Sequence, residues 1–70
     1  MNKLDLHGIR HAEVDRLVEN FILMNQNDIP LTIICGNSQP MIDLVETVIS
    51  RINCSRVSRI QYGVIRIDSI

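Results

Sequence analysis

The sequence is poor in several features, and each scarcity excludes a class of protein. Three glycines and two prolines among 70 residues are too few for a linker or a low-complexity tail. The apolar runs at residues 21–24 and 33–35 are far shorter than the about 20 residues of a membrane span. The opening residues include the acid Asp5 and lack the apolar region of a secretory signal. We therefore expect no membrane partner and a cytoplasmic location.

Cysteine is also scarce, and its spacing argues against a disulfide. Cys35 and Cys54 flank a predicted helix of about 12 residues, which would span about 18 Å. The Cα atoms of a disulfide must lie within about 7 Å of each other. The sequence therefore predicts two free thiols.

The overall composition and length are typical of one small globular domain. Hydrophobic residues make up 46% of the chain and charged residues 21%, and two domains of about 35 residues could not each fold alone. We therefore treat residues 1–70 as a single domain. The net charge of −1 is unevenly distributed: residues 51–70 hold four bases and one acid, whereas residues 1–50 hold three bases and seven acids. The basic end is the predicted place for phosphate contacts, notably at Arg56 and Arg59, although these arginines also suit an ordinary solvated surface.

The hydrophobic pattern predicts the element order βαβαββ. Residues 4–7 alternate in polarity as a half-covered strand does, and residues 11–25 repeat apolar side chains every three or four positions as an amphipathic helix does. Residues 31–35 form an apolar, β-branched strand, and a second helix opens at Pro40 after a turn at residues 36–39. Residues 57–67 read as two strands around Gly63.

Two right-handed crossovers would place both helices on one face of the sheet. We therefore predict a two-layer α/β sandwich, a four-stranded mixed sheet whose other face is open. If Leu4 and Leu6 point at the helices, the alternation sends Asp5 and His7 to the open face, side by side.

Asp5 and His7 are the chemical groups that phosphodiester cleavage requires. An imidazole titrates near neutral pH and can deprotonate a ribose hydroxyl or a water, while a carboxylate can orient it or hold a divalent metal such as Mg²⁺. The alternative is structural: Asp5 accepts a bond from a backbone amide and His7 caps the next helix.

Three further groups are candidate nucleic-acid contacts, each with a plainer alternative. His11 lies near the same sheet edge and could touch a phosphate; a metal site with Asp5, His7 and Cys35 is less favoured. The turn Gly36, Asn37 and Ser38 opens a helix whose free amides suit an anion, or Ser38 simply caps that helix. Tyr62 beside Arg59 could stack on a base or only pack against its neighbours.

The run Leu4-Asp5-Leu6-His7-Gly8 followed by an amphipathic helix resembles the opening of the Smr (small MutS-related) domain family. The likeness extends over nearly the whole chain in element order and ends in the run at residues 64–67. It implies a βαβαββ fold, endonuclease activity on RNA or DNA, and catalytic roles for Asp5 and His7. The second family motif, His-Gly-x-Gly, stands here as Cys35-Gly36-Asn37-Ser38, and the glycine-rich stretch between the last two strands is absent.

These observations lead to three possible functions. The first is a small nucleic-acid-binding endonuclease, with RNA favoured over DNA because a 2′-hydroxyl supplies the nucleophile and one side-chain base is then enough. The alternative is a module of the same fold without activity, which binds nucleic acid or the ribosome. A protein partner on the open sheet face is a third possibility, and the low net charge favours the latter two.

Overall fold

The computed structural model describes residues 2–70 as two helices and four strands in the predicted order. The elements are β1 (Lys3–Asp5), α1 (His11–Met24), a short 3₁₀ helix (Gln26–Asp28), β2 (Leu31–Ile34), α2 (Gln39–Ile52), β3 (Arg56–Gln61) and β4 (Val64–Ser69). Most boundaries lie within two residues of those predicted. The difference that matters is in β1, which ends at Asp5, so that His7 belongs to the following turn.

The four strands form one mixed sheet in the order β1-β2-β4-β3. β1 runs parallel to β2, with Leu4 opposite Ile33. β4 is antiparallel to both β2 and β3 and separates them. β1 and β3 are therefore the two edge strands.

One face of the sheet carries the core, and both helices lie on it. Leu31 and Ile33 of β2 pair with Ile67 and Ile65 of β4, and all four are at most 2% exposed. They share one buried cluster with side chains from both helices, including Val18 of α1. The alternate residues of β2 and β4 lie on the opposite, uncovered face. The predicted two-layer sandwich, with both helices on one face, is therefore confirmed.

Capping residues explain where α2 begins and ends, whereas the N-terminus of α1 has no side-chain cap. Ser38 accepts a hydrogen bond from the Met41 amide at 3.3 Å, and α2 ends at Asn53 in the left-handed conformation. Arg10 precedes α1 and provides no side-chain cap. On the surface, Arg51 of α2 reaches across to α1 and bonds both Asp15 and Glu19 at 2.7–2.9 Å.

Candidate functional site

The predicted catalytic residues lie where β1 and β2 end. Because the two strands are parallel and adjacent, their carboxyl ends meet at the same edge of the sheet, about 5 Å apart. The loop at residues 6–10 leads from β1 into α1, and the loop at residues 35–38 leads from β2 into α2. We call these two loops, with the β3–β4 turn at residues 62–63, the loop edge.

Asp5 and His7 both reach this edge but are placed by different means. Asp5 pairs with Ile34 on the uncovered face and is exposed. The next residue, Leu6, is fully buried. His7 then leaves the strand, and its backbone amide donates to Asp5 Oδ1 at 2.9 Å. The strand pleat therefore does not place the imidazole as predicted; the carboxylate fixes the backbone that carries it, as the structural alternative expected for Asp5.

The second loop is held tightly against the β3–β4 turn. The Cys35 amide donates to the Gly63 carbonyl at 2.6 Å. Gly63 has a positive φ of 83°, and a Cβ at this position would overlap the carbonyl oxygen of Gly36. Gly36 also has a positive φ, so two glycines permit the close approach of the two loops. This part of the loop edge has a fixed backbone.

The side chains of the second loop and of the β3–β4 turn bear differently on two of the candidates. The Ser38 hydroxyl caps α2, as described above. The Tyr62 hydroxyl donates to Gln39 Oε1 at 3.1 Å, while 59% of the tyrosine stays exposed. Tyr62 is thus bonded at its tip with its body still accessible. Asn37 lies exposed between Gly36 and Ser38.

Cys35 lies in a buried position that makes its thiol poorly reactive. It is 4% exposed. Burial, with a smaller contribution from the negative charge of Glu46, raises the pKa of its thiol to about 11. A protonated, buried thiol is a poor nucleophile and a poor metal ligand. Within residues 2–70, no three His, Cys, Asp or Glu side chains converge as a metal site requires, so the donor set suggested from Asp5, His7, His11 and Cys35 does not fit a metal ion.

Both cysteines are free thiols, as the sequence predicted. Cys54 is partly buried, and this burial raises the pKa of its thiol above the ordinary value.

The predicted basic surface is largely neutralised inside the chain. Arg59 bonds Glu46 through two nitrogens at 2.8 Å each, which holds the pKa of the Glu46 carboxyl below its usual range. Arg66 pairs with Asp68 at 2.9 Å, and Arg51 pairs with two acids of α1. Arg51 and Arg59 therefore face acids from earlier parts of the chain, whereas Arg66 pairs within the last twenty residues.

Nor does the fold bring Arg56 and Arg59 to the loop edge. Arg56 begins β3 opposite Ser69, at the other end of the strands. Since three strand spacings separate β3 from β1, Arg59 lies about 14 Å across the sheet from Asp5 or farther. The structure thus groups Asp5, His7, His11, Gly36, Asn37 and Ser38 at one edge and separates Arg56 and Arg59 from them.

A cation that the charge count overlooked lies beside the predicted site. Along the described part of the chain, three basic side chains form no ion pair: Lys3, Arg10 and Arg56. Arg10 is exposed and directly precedes His11. Counting charges over long segments masked it, because residues 1–50 are acidic in total. The sequence feature that could have identified Arg10 is its position next to the first turn of α1.

Comparison with models of known families, with curated proteins and with solved structures gave no match to this chain. In addition, neither helix described here has the length and apolar character needed to cross a bilayer.

Proposed function

We propose that the loop edge binds and cleaves RNA, with His7 as the general base. The observation that supports this proposal is the placement of His7: an exposed imidazole, on a turn fixed by Asp5, at the edge where both helices begin. The first turn of a helix presents free amides and a partial positive charge, both of which favour a phosphate. Arg10, which forms no ion pair within residues 2–70, adds a full charge at the same place.

The reaction needs one base and one activated hydroxyl. The imidazole of His7 takes the proton of a ribose 2′-hydroxyl, and the 2′-oxygen forms a bond to the adjacent phosphorus. The bond from phosphorus to the 5′-oxygen of the next nucleotide breaks. That oxygen takes a proton from water, and the hydroxide so formed takes the proton held by His7. The products are a 2′,3′-cyclic phosphate and a free 5′-hydroxyl. DNA lacks the attacking hydroxyl, so RNA is the proposed substrate.

Asp5 acts in this proposal as a positioning residue. Its Oδ1 accepts from the His7 amide, so the carboxylate holds the turn and thereby the direction in which the imidazole leaves it. An asparagine at position 5 would retain the accepting oxygen, whereas an alanine would not.

The catalytic part of the proposal is tested with labelled single-stranded, hairpin and duplex RNA, with matching DNA, and with and without Mg²⁺. We expect RNA cleavage, reduced about 10² to 10⁴-fold by His7→Ala with little change in affinity. His11→Ala removes the neighbouring imidazole and leaves the base, so we expect it to act on RNA affinity and to leave the cleavage rate of bound RNA unchanged. Cleavage by His7→Ala at the wild-type rate would place the active site elsewhere.

Two substitutions at position 5 separate positioning from proton transfer. We expect Asp5→Asn to retain most of the cleavage rate and Asp5→Ala to lose much of it, because only the second removes the acceptor of the His7 amide. An equal loss in both variants would show that the negative charge itself is needed.

The binding part of the proposal is tested by the salt dependence of RNA affinity. Each phosphate contact that is lost lowers the magnitude of the negative slope of log K against log salt by about 0.7 to 0.9. We expect this change for Arg10→Ala. Arg56→Ala, at the far end of the sheet, and Arg59→Ala, whose partner is Glu46, test the original prediction that the basic end binds. If these two change the slope and Arg10→Ala does not, RNA lies on the β3 side.

A second candidate is a binding module that has the same edge but no activity. Two observations favour it: the Asp5 carboxylate already serves the backbone, and Cys35 is buried and protonated where the resembled family has a histidine. RNA binding at the loop edge without cleavage under any of the conditions above would support this candidate.

A further inference from the structure

A cavity of about 400 Å³ opens between the first turns of α2 and the β3–β4 turn. Two residues of the buried core, Ile42 and Ile65, lie in its lining. Tyr62 and Gly63 also line it and belong to the loop edge, so the cavity adjoins the proposed RNA site. We call this feature the turn cavity. Its volume and its apolar lining with a few polar groups are typical of a ligand site.

Tyr62 gives the turn cavity an aromatic wall whose tip is fixed. Its hydroxyl donates to Gln39 Oε1 at 3.1 Å, and Gln39 Nε2 in turn donates to Asp43 Oδ1 at 2.8 Å. These two bonds tie the phenol to the first turns of α2, while 59% of the tyrosine stays exposed. An accessible aromatic ring held in this way is a surface on which a base can stack.

Gln61 adds a free amide to the same cavity. The pairing of β3 with β4 shifts between Arg59 and Gln61, so that Gln61 pairs with Val64. Shifts of this kind re-aim side chains, and Gln61 lines the turn cavity. Its side chain is exposed and has no hydrogen-bond partner within residues 2–70. An amide offers both a donor and an acceptor, which the polar edge of a base also does.

The charges around the turn cavity favour a neutral ligand. The charged residues in its lining, Glu46 and Arg59, bond each other at 2.8 Å through two nitrogens and so offer no unpaired charge. The backbone on the side of the turn is fixed, because the Gly63 carbonyl accepts from the Cys35 amide at 2.6 Å. A planar, uncharged ring with a polar edge therefore matches the aromatic wall, the apolar lining and the free amide.

We propose that the turn cavity takes up an unpaired base of the RNA strand whose phosphate lies at the loop edge. The base stacks on Tyr62, and its polar edge bonds the Gln61 amide. β4, which carries Ile65, lies two strand spacings from β1, about 10 Å, so a phosphate beside His7 and a neighbouring base reach both places. The inference rests on the proposed function and specifies its substrate as unpaired RNA, since a duplex has no free base to offer.

Stacking is tested by the intrinsic fluorescence of the wild-type chain. Tyr62 is its one tyrosine and it has no tryptophan, so the emission reports on this ring alone. The probe is a short single-stranded RNA with methylated 2′-oxygens, which cannot undergo the proposed cleavage. We expect its binding to quench the emission, after correction for light absorbed by the bases. A strand of the same length and charge without bases should bind more weakly and cause no quenching.

Substitutions then separate the base contact from the phosphate contacts. Tyr62→Leu should weaken binding of the methylated RNA about tenfold and leave the salt slope unchanged, because a base contact neutralises no phosphate. Tyr62→Phe retains the ring and should bind with nearly wild-type affinity. Ile60→Ala is the matched control, since Ile60 is an exposed apolar residue of the same hairpin that is not part of the lining. Circular dichroism of each variant checks that the fold is retained.

Two results would overturn this inference and leave the proposed function intact. The first is RNA binding whose salt slope depends on Arg10 but whose affinity is the same in Tyr62→Leu. The second is equal quenching by the strand without bases. Quenching by a free nucleoside monophosphate at the same concentration as the strand would also overturn it, since the cavity would then be a mononucleotide site. Base-dependent quenching by an RNA that is never cleaved supports the cavity and contradicts the catalytic proposal instead.

Discussion

At the residue scale, Gly63 is a position where adding a single methyl group should destabilise the fold. Its positive φ costs a residue with a Cβ about 1 to 2 kcal/mol, and the Cβ would also overlap the Gly36 carbonyl. We expect Gly63→Ala to lower the free energy of unfolding by more than this, as measured by urea denaturation. Gly8→Ala is the control, because Gly8 has a similar φ but no atom within 4 Å of the added Cβ. Equal losses in the two variants would mean that the loop contact contributes nothing.

Cys35 predicts a pH dependence in the alkaline range. Burial raises the pKa of the folded thiol to about 11 from an ordinary 9.0, so the unfolded state releases its proton first as pH rises. Stability is therefore unaffected by this group below pH 9 and falls between pH 9 and about 11. Denaturation across this range should show a steeper loss for the wild type than for Cys35→Ala. Parallel curves would show that the thiol ionises as easily in the folded state as in the unfolded one.

At the scale of elements, the two helices differ in how their first turns are satisfied. Ser38 caps α2, and we expect Ser38→Ala to lower the free energy of unfolding by about 1 kcal/mol. Arg10 offers α1 no cap, so Arg10→Ser should raise the free energy by a similar amount. Thermal and urea unfolding measure both. If Arg10 also binds phosphate, Arg10→Ser weakens RNA binding while it stabilises the fold. An unchanged RNA affinity would show that Arg10 does not contact the RNA.

At the scale of the whole molecule, the single small core makes folding cooperative and keeps the free energy of unfolding small. A chain of 70 residues has a free energy of unfolding of about 4 to 10 kcal/mol, and all elements except the short 3₁₀ helix share one buried cluster or pack against it. Leu6, fully buried, ties the site loop into that cluster. We expect Leu6→Ala to cost about 2 to 5 kcal/mol and to leave a large unfolded fraction, seen by circular dichroism. Ile60→Ala, at a half-exposed position, is the control and should cost far less.

Much of the architecture follows from sequence pattern. The helical repeat from Val14 to Phe21, the β-branched run of β2 and the polar breaks between them determined the order of elements, because burial of one face imposes a period on the side chains. Handedness of the crossovers then placed both helices on one face. The strand order did not follow from the pattern. Once β1 and β2 are known to be parallel neighbours, Asp5, His7 and the second loop must lie at one edge, since such strands end together.

What only the tertiary structure decided depends on residues distant in sequence. The pattern of β1 could not show that Asp5 would accept from the His7 amide and end the pleat. A charge count could not show that Arg51 and Arg59 would pair with acids 32 to 36 and 13 positions away, which removes the excess charge from the basic end. Nor could it show that Gly63 would lie against Gly36. Period and composition report which side chains are buried, whereas pairings between distant residues depend on how the layers are packed together.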